Sequence, residues 1–400
     1  MRNFIKDVKE KIVESLLLIS STVTTITVLL IVFFLFKEGA GIFSRTTIEE
    51  GSVLLVNKSN PVNKLADYQI KKVFDQEITN WKELGGNDED IMLFRIDDIG
   101  NFYTDEQLGE NFENMPVYID SIVLQNKNII AFVNDKYVLK NTLSKTIDVD
   151  KIKLNEVLEG KEWYPTAHPA AQLGILPLIM GTIWVSLGAI LLALPFGLAA
   201  AIYMAEIAHA RVRNILKPLI ELLAGIPSVV YGFFGLVVMV PVIQKLFHLD
   251  VGQSALAGSI ILGIMALPTI ITISEDAIRN TPRSMREASL ALGANRWQTI
   301  VRVIIPYSIS GITAAIILGI GRAIGETMAV LMVTGNAAVM PTSLLQPVRT
   351  IPATIAAELG EAPFGGLHFQ ALFFLGCVLF LMTLIINFLV EMVAPKRLKR

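Results

Sequence analysis

The sequence predicts an all-α polytopic membrane protein of six transmembrane helices, with one small α/β extracytoplasmic domain inserted after the first helix. Three observations predict it. The 400-residue chain is 53% hydrophobic and only 18% charged, and its apolar residues fall in runs longer than a globular core uses. Lys and Arg gather in alternate connecting segments. One long, polar and acidic segment interrupts the apolar pattern after its first run.

Crossing the hydrocarbon core takes roughly 20 apolar residues in a helix. Such runs lie at 16–36, 173–204, 218–246, 255–278, 308–333 and 369–393. Only helices satisfy their own backbone groups in lipid, so each run is expected to be helical. The first has Glu14 just before its start, is followed by Lys37 and Glu38, and lacks a small-x-small cleavage site. It reads as a retained anchor and not as a signal peptide.

Charge sets the orientation. Arg2, Lys6, Lys9 and Lys11 precede the first run, and Arg211, Arg213 and Lys217 follow the second. Arg279, Arg283, Arg286, Arg296 and Arg302 follow the fourth, and Lys396, Arg397, Lys399 and Arg400 follow the last. The short loops of the other side carry only Lys245 and Arg349. Positive charge stays inside, so both termini are expected in the cytoplasm. The chain then divides into a cytoplasmic N-terminus and first helix (1–45), an external insert (46–165) and a five-helix core (166–400).

In the insert, strand-like runs occur at 52–56, 91–95, 121–124 and 129–133, with a helix-like run at 65–74. Turn signals sit at 57–61 and 85–87. The insert is acidic and the remainder basic, but net charge is only -2, which gives no bulk field for nucleic acid. The single cysteine, Cys377, lies in an apolar run and reads as a small buried hydrophobe. The histidines, His168, His209, His248 and His368, are scattered at the ends of runs without metal-ligand spacing. No GxxxxGK[ST] loop and no Ser-His-Asp pattern occurs. No cofactor, no metal site and no nucleotide hydrolysis by this chain are expected.

The cytoplasmic loop at 284–306 reads SMREASLALGANRWQTIVRVIIP. Glu287, Ala288 and Ser289 belong to a helical stretch, Gly293 permits a left-handed turn, and a second amphipathic stretch runs to Pro306. Small residues admit another surface, and Arg296 with an exposed Trp297 suits anchoring a partner. An ordinary charged loop would look similar by physics alone. The spacing of Glu287-Ala288-Ser289, Gly293 and Pro306 resembles the EAA loop of ABC importer permeases, with departures at Ser289 and Val303. That resemblance implies a type I permease fold and a loop that docks on a cytoplasmic ATPase subunit.

The fifth run, ILGIGRAIGETMAVLMVTGN, holds Arg322 and Glu326, four residues apart and expected on one helix face. Charges at this depth normally face a partner or an aqueous path. An arginine offers planar, multidentate donors to oxyanions, and Glu326 would hold and neutralise it. A structural pair between helices is the competing reading. Gly321 and Gly325 would allow close packing of another helix. Pro227, Tyr231 and Gly232 are expected to shape a kink in the third run. Glu275 and Asp276 are expected to interact with Arg279 or cap the loop. Glu358 and Glu361, beside Gly360, Gly365 and Gly366, lie in an outer loop able to fold back as a gate.

GRAIGETMAVLMVTGN, PLIELLAGIPSVVYGFFGL and WYPTAHPAAQLGILPLIMGT resemble the PstC-type permease family of phosphate importers, and the likeness covers most of 153–393. The MAVLMVTGN continuation distinguishes it from the PstA type. The resemblance implies transport of phosphate by alternating access and places Arg322 and Glu326 on the phosphate path. It also implies as partners a PstA-like permease subunit, two cytoplasmic ATPase subunits and an extracytoplasmic phosphate-binding protein. Another oxyanion, such as sulfate or molybdate, is the near alternative. A membrane sensor reading its insert is the distant one.

The family's outer loop is short; here 47–150 is additional. VLLVNKSNPVNKLADYQIKKVFDQEITNWKELGG and the later NIIAFV resemble one lobe of a periplasmic phosphate-binding protein. The ligand loop of such lobes, R-x-x-G-S-G-T, is replaced by RIDDIGNFY. Arg95 and Gly100 match, while Asp98, Ile99 and Asn101 stand where Gly, Ser and Thr are expected. Lost hydroxyls and added carboxylates repel an oxyanion, so a degenerate lobe is expected.

Overall fold

The computed structural model describes residues 2–49, 51–109, 112–139 and 144–393. The basic cluster from Lys396 to Arg400 lies outside the described residues. Six described helices are long and apolar enough to cross a membrane: Val13–Ser44, Leu176–Ile207, Ser228–Phe247, Ala255–Arg279, Arg296–Gly325 and Leu367–Met392. They are called spans one to six below. The chain folds as two compact units.

The first unit takes the chain to Lys153, with Ala167–Ala171 and Pro363–Cys377. The end of span one packs on the start of span six. Phe34 meets Phe373 and Phe43 meets Phe374 edge to face, with centroids 5.6 and 5.3 Å apart. The Cys377 thiol donates to the Leu35 carbonyl at 3.3 Å, so the cysteine is a packed core group as expected.

The insert is a four-stranded sheet in the order Met92–Arg95, Ile129–Asn134, Ser52–Asn57, Ser144–Thr146. The first pair is parallel and the others antiparallel. A parallel pair needs a crossover, and the helix Met115–Gln125 supplies it. Both sheet faces are covered. Leu54, Val56 and Ile130 pack with Ile70, Val73 and Trp81, while Leu55, Ile129 and Ala131 pack with Ile119, Ile122 and Val123. Double coverage explains why SVLLVN and IIAFVN are continuous apolar runs and not alternating ones. The expected strand at 121–124 is instead part of the crossover helix. Met115, Ile119, Ile122 and Val123 recur at helical spacing and are buried; a window of four residues cannot show that period. The two ends of the insert meet, with Ile48 bridging Ala170 antiparallel and the Ala171 N–H donating to Thr47 O at 2.9 Å.

The second unit comprises Leu154–Thr166, Gln172–Ala362 and the chain from Val378. Span four is the most enclosed of the six and packs against spans two and five. Lipid supplies no hydrophobic drive between helices, so close backbone approach through small residues holds such bundles. Gly188 lies on Ser259, Gly197 on Ile270 and Gly311 on Ala277. Ser259 Oγ donates to Ala255 O at 2.9 Å and to Val185 O at 3.3 Å.

Two runs expected as single spans are broken. The third begins at Ser228, not at 218; Ala210–Ala224 is a separate amphipathic helix. The break falls at Gly225–Pro227, where Pro227 caps the second piece in extended conformation. The Tyr231 hydroxyl ties across it, donating to Leu223 O at 2.8 Å. The fifth helix ends at Gly325, Glu326 is extended (ψ 134), and a short helix, Met328–Val333, follows. Hydropathy is uninterrupted at both breaks, which hides them from a reading by apolar run.

The packed glycines also differ from those expected. A Cβ at Gly321 or Gly325 would meet nothing within 4 Å, whereas one at Gly235 would lie 2.6 Å from Val333 and one at Gly232 2.8 Å from Met332. Within this chain, Gly232 and Gly235 carry the tight approach and Gly321 and Gly325 do not. A Cβ at Gly181 would overlap the Arg349 carbonyl oxygen. Gly181→Ala should therefore destabilise the detergent-purified chain by about 1–3 kcal/mol through overpacking. Gly321→Ala should leave its thermal midpoint unchanged; an equal loss in both variants would refute the packing assignment.

Candidate functional site

The expected docking loop forms two short helices. Arg283–Ala291 is followed by a turn in which Gly293 takes φ +85, then by Arg296–Thr299. That φ favours glycine, and an added Cβ there would meet open space, so the reason for glycine is backbone conformation. Asn295 and Gln298 form a reciprocal cap, with bonds of 2.8 and 2.9 Å. Ser289 and Thr299 hydroxyls meet at 3.0 Å and fix the angle between the helices.

The turn brings the expected residues onto one exposed surface. Glu287, Ala288, Gly293 and Arg296 are all exposed; Leu292 is 89% and Trp297 62% exposed. Large apolar side chains left bare among charges mark an interaction surface. Within span five, a π-turn at Ile300–Ile304 joins Arg296–Thr299 to the helix Ile305–Gly325.

An ion network supports this loop. Glu275 is fully buried at the end of span four, with Lys217 Nζ at 2.8 Å and Arg279 Nη1 at 3.4 Å. Lys217 also reaches Asp276 at 3.0 Å. Arg279 was the partner expected for Glu275. Lys217, 58 positions away on the separate amphipathic helix, was read only as an orientation charge. Its hydrogen bond to Glu275 raises its pKa above the ordinary 10.5, against the opposing effect of burial. Arg286 lies 2.9 Å from Glu206 at the end of span two and donates to Ile278 O at 3.0 Å. The one advance signal for Glu206 was an acid inside an apolar stretch.

The membrane charges are arranged differently from expectation. Because the helix ends at Gly325, Arg322 and Glu326 do not share a helix face, and no ion pair joins them among the described residues. Glu326 instead accepts a long bond from the Ala329 N–H at 3.4 Å, capping the short helix. Arg322 contacts Thr269 Oγ1 of span four at 3.5 Å. An open cavity of about 500 Å³ borders the break, lined in part by Gly325, Thr327, Pro352, Ala356 and Gly360. Nearby in the outer loop, Glu358 accepts from Arg349 at 2.6 Å and from the Trp163 indole at 3.0 Å, a pair of contacts with no signal in the sequence.

In the insert, Arg95 ends its strand exposed, with its guanidinium 5.6 Å from the Phe74 ring centroid. The Asp98 carboxylate accepts the Arg95 backbone N–H at 2.8 Å.

Six membrane-length helices and an exposed two-helix loop feeding the fifth define a membrane permease. The chain belongs to the family of binding-protein-dependent transport system inner membrane components, which matches residues 193–399. It is a multi-pass inner-membrane subunit of the ABC importer permease type. Residues 37–188 match the PBP superfamily domain, a range wider than the insert. The chain is 42% identical over 242 residues to "Probable ABC transporter permease protein YqgH" of Bacillus subtilis, covering 60% of this chain and 78% of that protein. It is 38% identical over 248 residues to the phosphate transport system permease protein PstC of Mesorhizobium japonicum, covering 57% and 75%. The structure titled "X-ray Crystal Structure of a Putative Phosphate ABC Transporter Substrate-Binding Protein with Bound Phosphate from Clostridium perfringens" is 30% identical, covering 27% of this chain and 49% of that one, at a TM-score of 0.20.

Removing one partner of a buried ion pair strands the other charge. Lys217→Met should cost about 3 kcal/mol, and Glu275→Gln combined with it should cost less than the two single changes added. Because the folded pKa of Lys217 is raised, its contribution is complete below the unfolded value and is lost only as pH rises through the higher folded one. The parent's advantage over Lys217→Met in thermal midpoint should hold from about pH 6 to about pH 9, below the lysine pKa, and narrow only above it.

Proposed function

We propose that this chain is the PstC-type permease subunit of an ATP-driven importer of inorganic phosphate. The observation that carries the reading is its 38% identity to PstC of Mesorhizobium japonicum across 75% of that protein. The partners follow from that reading: a second, PstA-like permease, two cytoplasmic ATPase subunits docking on the exposed loop around Glu287 and Trp297, and an external phosphate-binding protein. The termini lie in the cytoplasm and the insert outside.

ATP-driven closure of the partner subunits moves the docking loop. The π-turn Ile300–Ile304 passes that movement into the helix Ile305–Gly325, which carries Arg322. Arg322 presents guanidinium N–H groups to the passing anion, and its hydrogen bond among the described residues, a long one to Thr269, leaves donors available for oxyanion oxygens. Glu326 acts through the helix break it caps, not as a counter-ion held against Arg322. The insert contributes no phosphate site, since Asp98 occupies its ligand loop.

ATP-driven uptake of labelled phosphate into vesicles holding the assembled complex tests the reading. Uptake should persist in excess sulfate and fall about tenfold or more in Arg322→Ala, the worth of a hydrogen bond to a charged group. No uptake by an assembled, ATP-hydrolysing complex would overturn the phosphate assignment. In the same assay Arg95→Ala should leave uptake unchanged; loss of uptake there would show that the insert's loop still handles the anion.

A further inference from the structure

We propose that the Thr269 hydroxyl is a second anion-contacting group on the transport path, working beside Arg322. The proposal rests on the reading of this chain as a phosphate-importing permease. It adds a residue of span four to the arginine of span five.

A hydroxyl inside a helix is commonly satisfied by the carbonyl four residues back, with no outside partner. Hydroxyls in the spans of this chain do this. Thr182 donates to Leu178 O at 2.7 Å, Ser259 to Ala255 O at 2.9 Å and Thr313 to Ile309 O at 2.8 Å. Thr269 departs from that pattern. Among the described residues its Oγ1 donates to no carbonyl, and it accepts from Arg322 Nη1 at 3.5 Å. A threonine hydroxyl carries one donor and two lone pairs. One lone pair faces the guanidinium, so the hydroxyl proton has no acceptor among the described residues.

Neither group is shut away from the surroundings. Thr269 and Arg322 are both half-buried. The backbone beside Arg322 is uncrowded, since a Cβ on Gly321 or Gly325 would meet nothing within 4 Å. Inside a span, a charged side chain next to an unmet hydroxyl and open space marks a polar path and not a packed seam.

The two groups are chemically complementary. A guanidinium only donates, and it supplies the positive charge. A hydroxyl donates or accepts. It therefore suits a bare oxygen of the anion, and also the P–OH of hydrogen phosphate, from which an arginine cannot accept. With the two groups 3.5 Å apart, one tetrahedral anion meets both through neighbouring oxygens. The anion then bridges spans four and five in place of their long direct bond. That bridge holds it between release on one side and reopening of the spans to the other. Without the hydroxyl, more of the anion returns before the spans reopen, and ATP is hydrolysed with less phosphate carried.

The test measures phosphate moved per ATP in vesicles holding the assembled complex, with saturating phosphate-loaded binding protein. Thr269→Val and Thr269→Ala remove the hydroxyl at two side-chain sizes. Each should carry about tenfold less phosphate per ATP, the usual effect of losing a hydrogen bond to a charged group. Thr269→Ser should stay near the parent. So should Thr313→Val, which removes a hydroxyl already engaged by Ile309 O. Parental yield in whichever hydroxyl-free variant assembles would overturn the proposal, as would an equal loss in Thr269→Ser. Thr269→Val is also compared in an Arg322→Lys background. A further loss there shows a contact of the hydroxyl's own; no further loss would make Thr269 a brace that only positions Arg322, and the proposal would fall. A parent complex that hydrolyses ATP and carries no phosphate would overturn the phosphate reading and this proposal with it, whereas a parent that carries phosphate confines any failure to Thr269.

Discussion

Close backbone approach along span four is the constraint on which the second unit depends. In lipid, apolar side chains gain nothing by choosing each other over acyl chains, so helix association rests on contact distance and a few hydrogen bonds. Span four meets that condition on two sides, at Gly188 and Gly197 of span two and at Gly311 of span five. Each of these glycines is filled by a neighbour's side chain, so the three helices are held in one register. The exposed two-helix loop and the amphipathic helix Ala210–Ala224 are then hung from the end of that trio.

What hangs there is ionic. A fully buried carboxylate such as Glu275 is tolerable only when cations reach it, and Lys217 and Arg279 do so from different helices. The amphipathic helix Ala210–Ala224 is thereby tied to span four although its own surface is largely exposed. The docking helix, by contrast, is attached through Arg286 and through the Ser289–Thr299 hydroxyl pair. Firm attachment on one side and sparse attachment on the other is the mechanical division expected of a lever on a fulcrum.

Some of this was legible in the sequence. Six long apolar runs outweigh any local ambiguity, and each holds a helix of membrane length. The two-helix form of the exposed loop was legible because its spacing is a local property: Glu287, Gly293 and Pro306 keep their distances whatever the rest of the chain does. The break at Gly225–Pro227 was legible only as a kink at Pro227, and the one at Gly325–Thr327 was not, because helix termination there changes backbone direction within one apolar run. The i, i+4 relation of Arg322 and Glu326 failed for that same reason. Which glycines pack, and that Lys217 answers Glu275, are facts about partners distant in sequence, and no single-chain pattern encodes them. In the insert, the misread segment at 121–124 shows the limit of short windows, since its β-branched residues belong to a helix whose period needs eleven residues to appear.

The meeting of the insert's two ends bears on how such a chain is assembled in evolution. Ile48 and Ala170 bridge as antiparallel neighbours, so the backbone leaves for the domain and returns at nearly the same point. Residues paired in that way have Cα atoms about 5 Å apart, a gap that a tight turn closes. A whole α/β domain therefore occupies the place of a hairpin loop, as domain insertions succeed where entry and exit are adjacent. Gain or loss of the domain would leave the register of the spans untouched, making this position a modular port on an otherwise tightly constrained membrane scaffold.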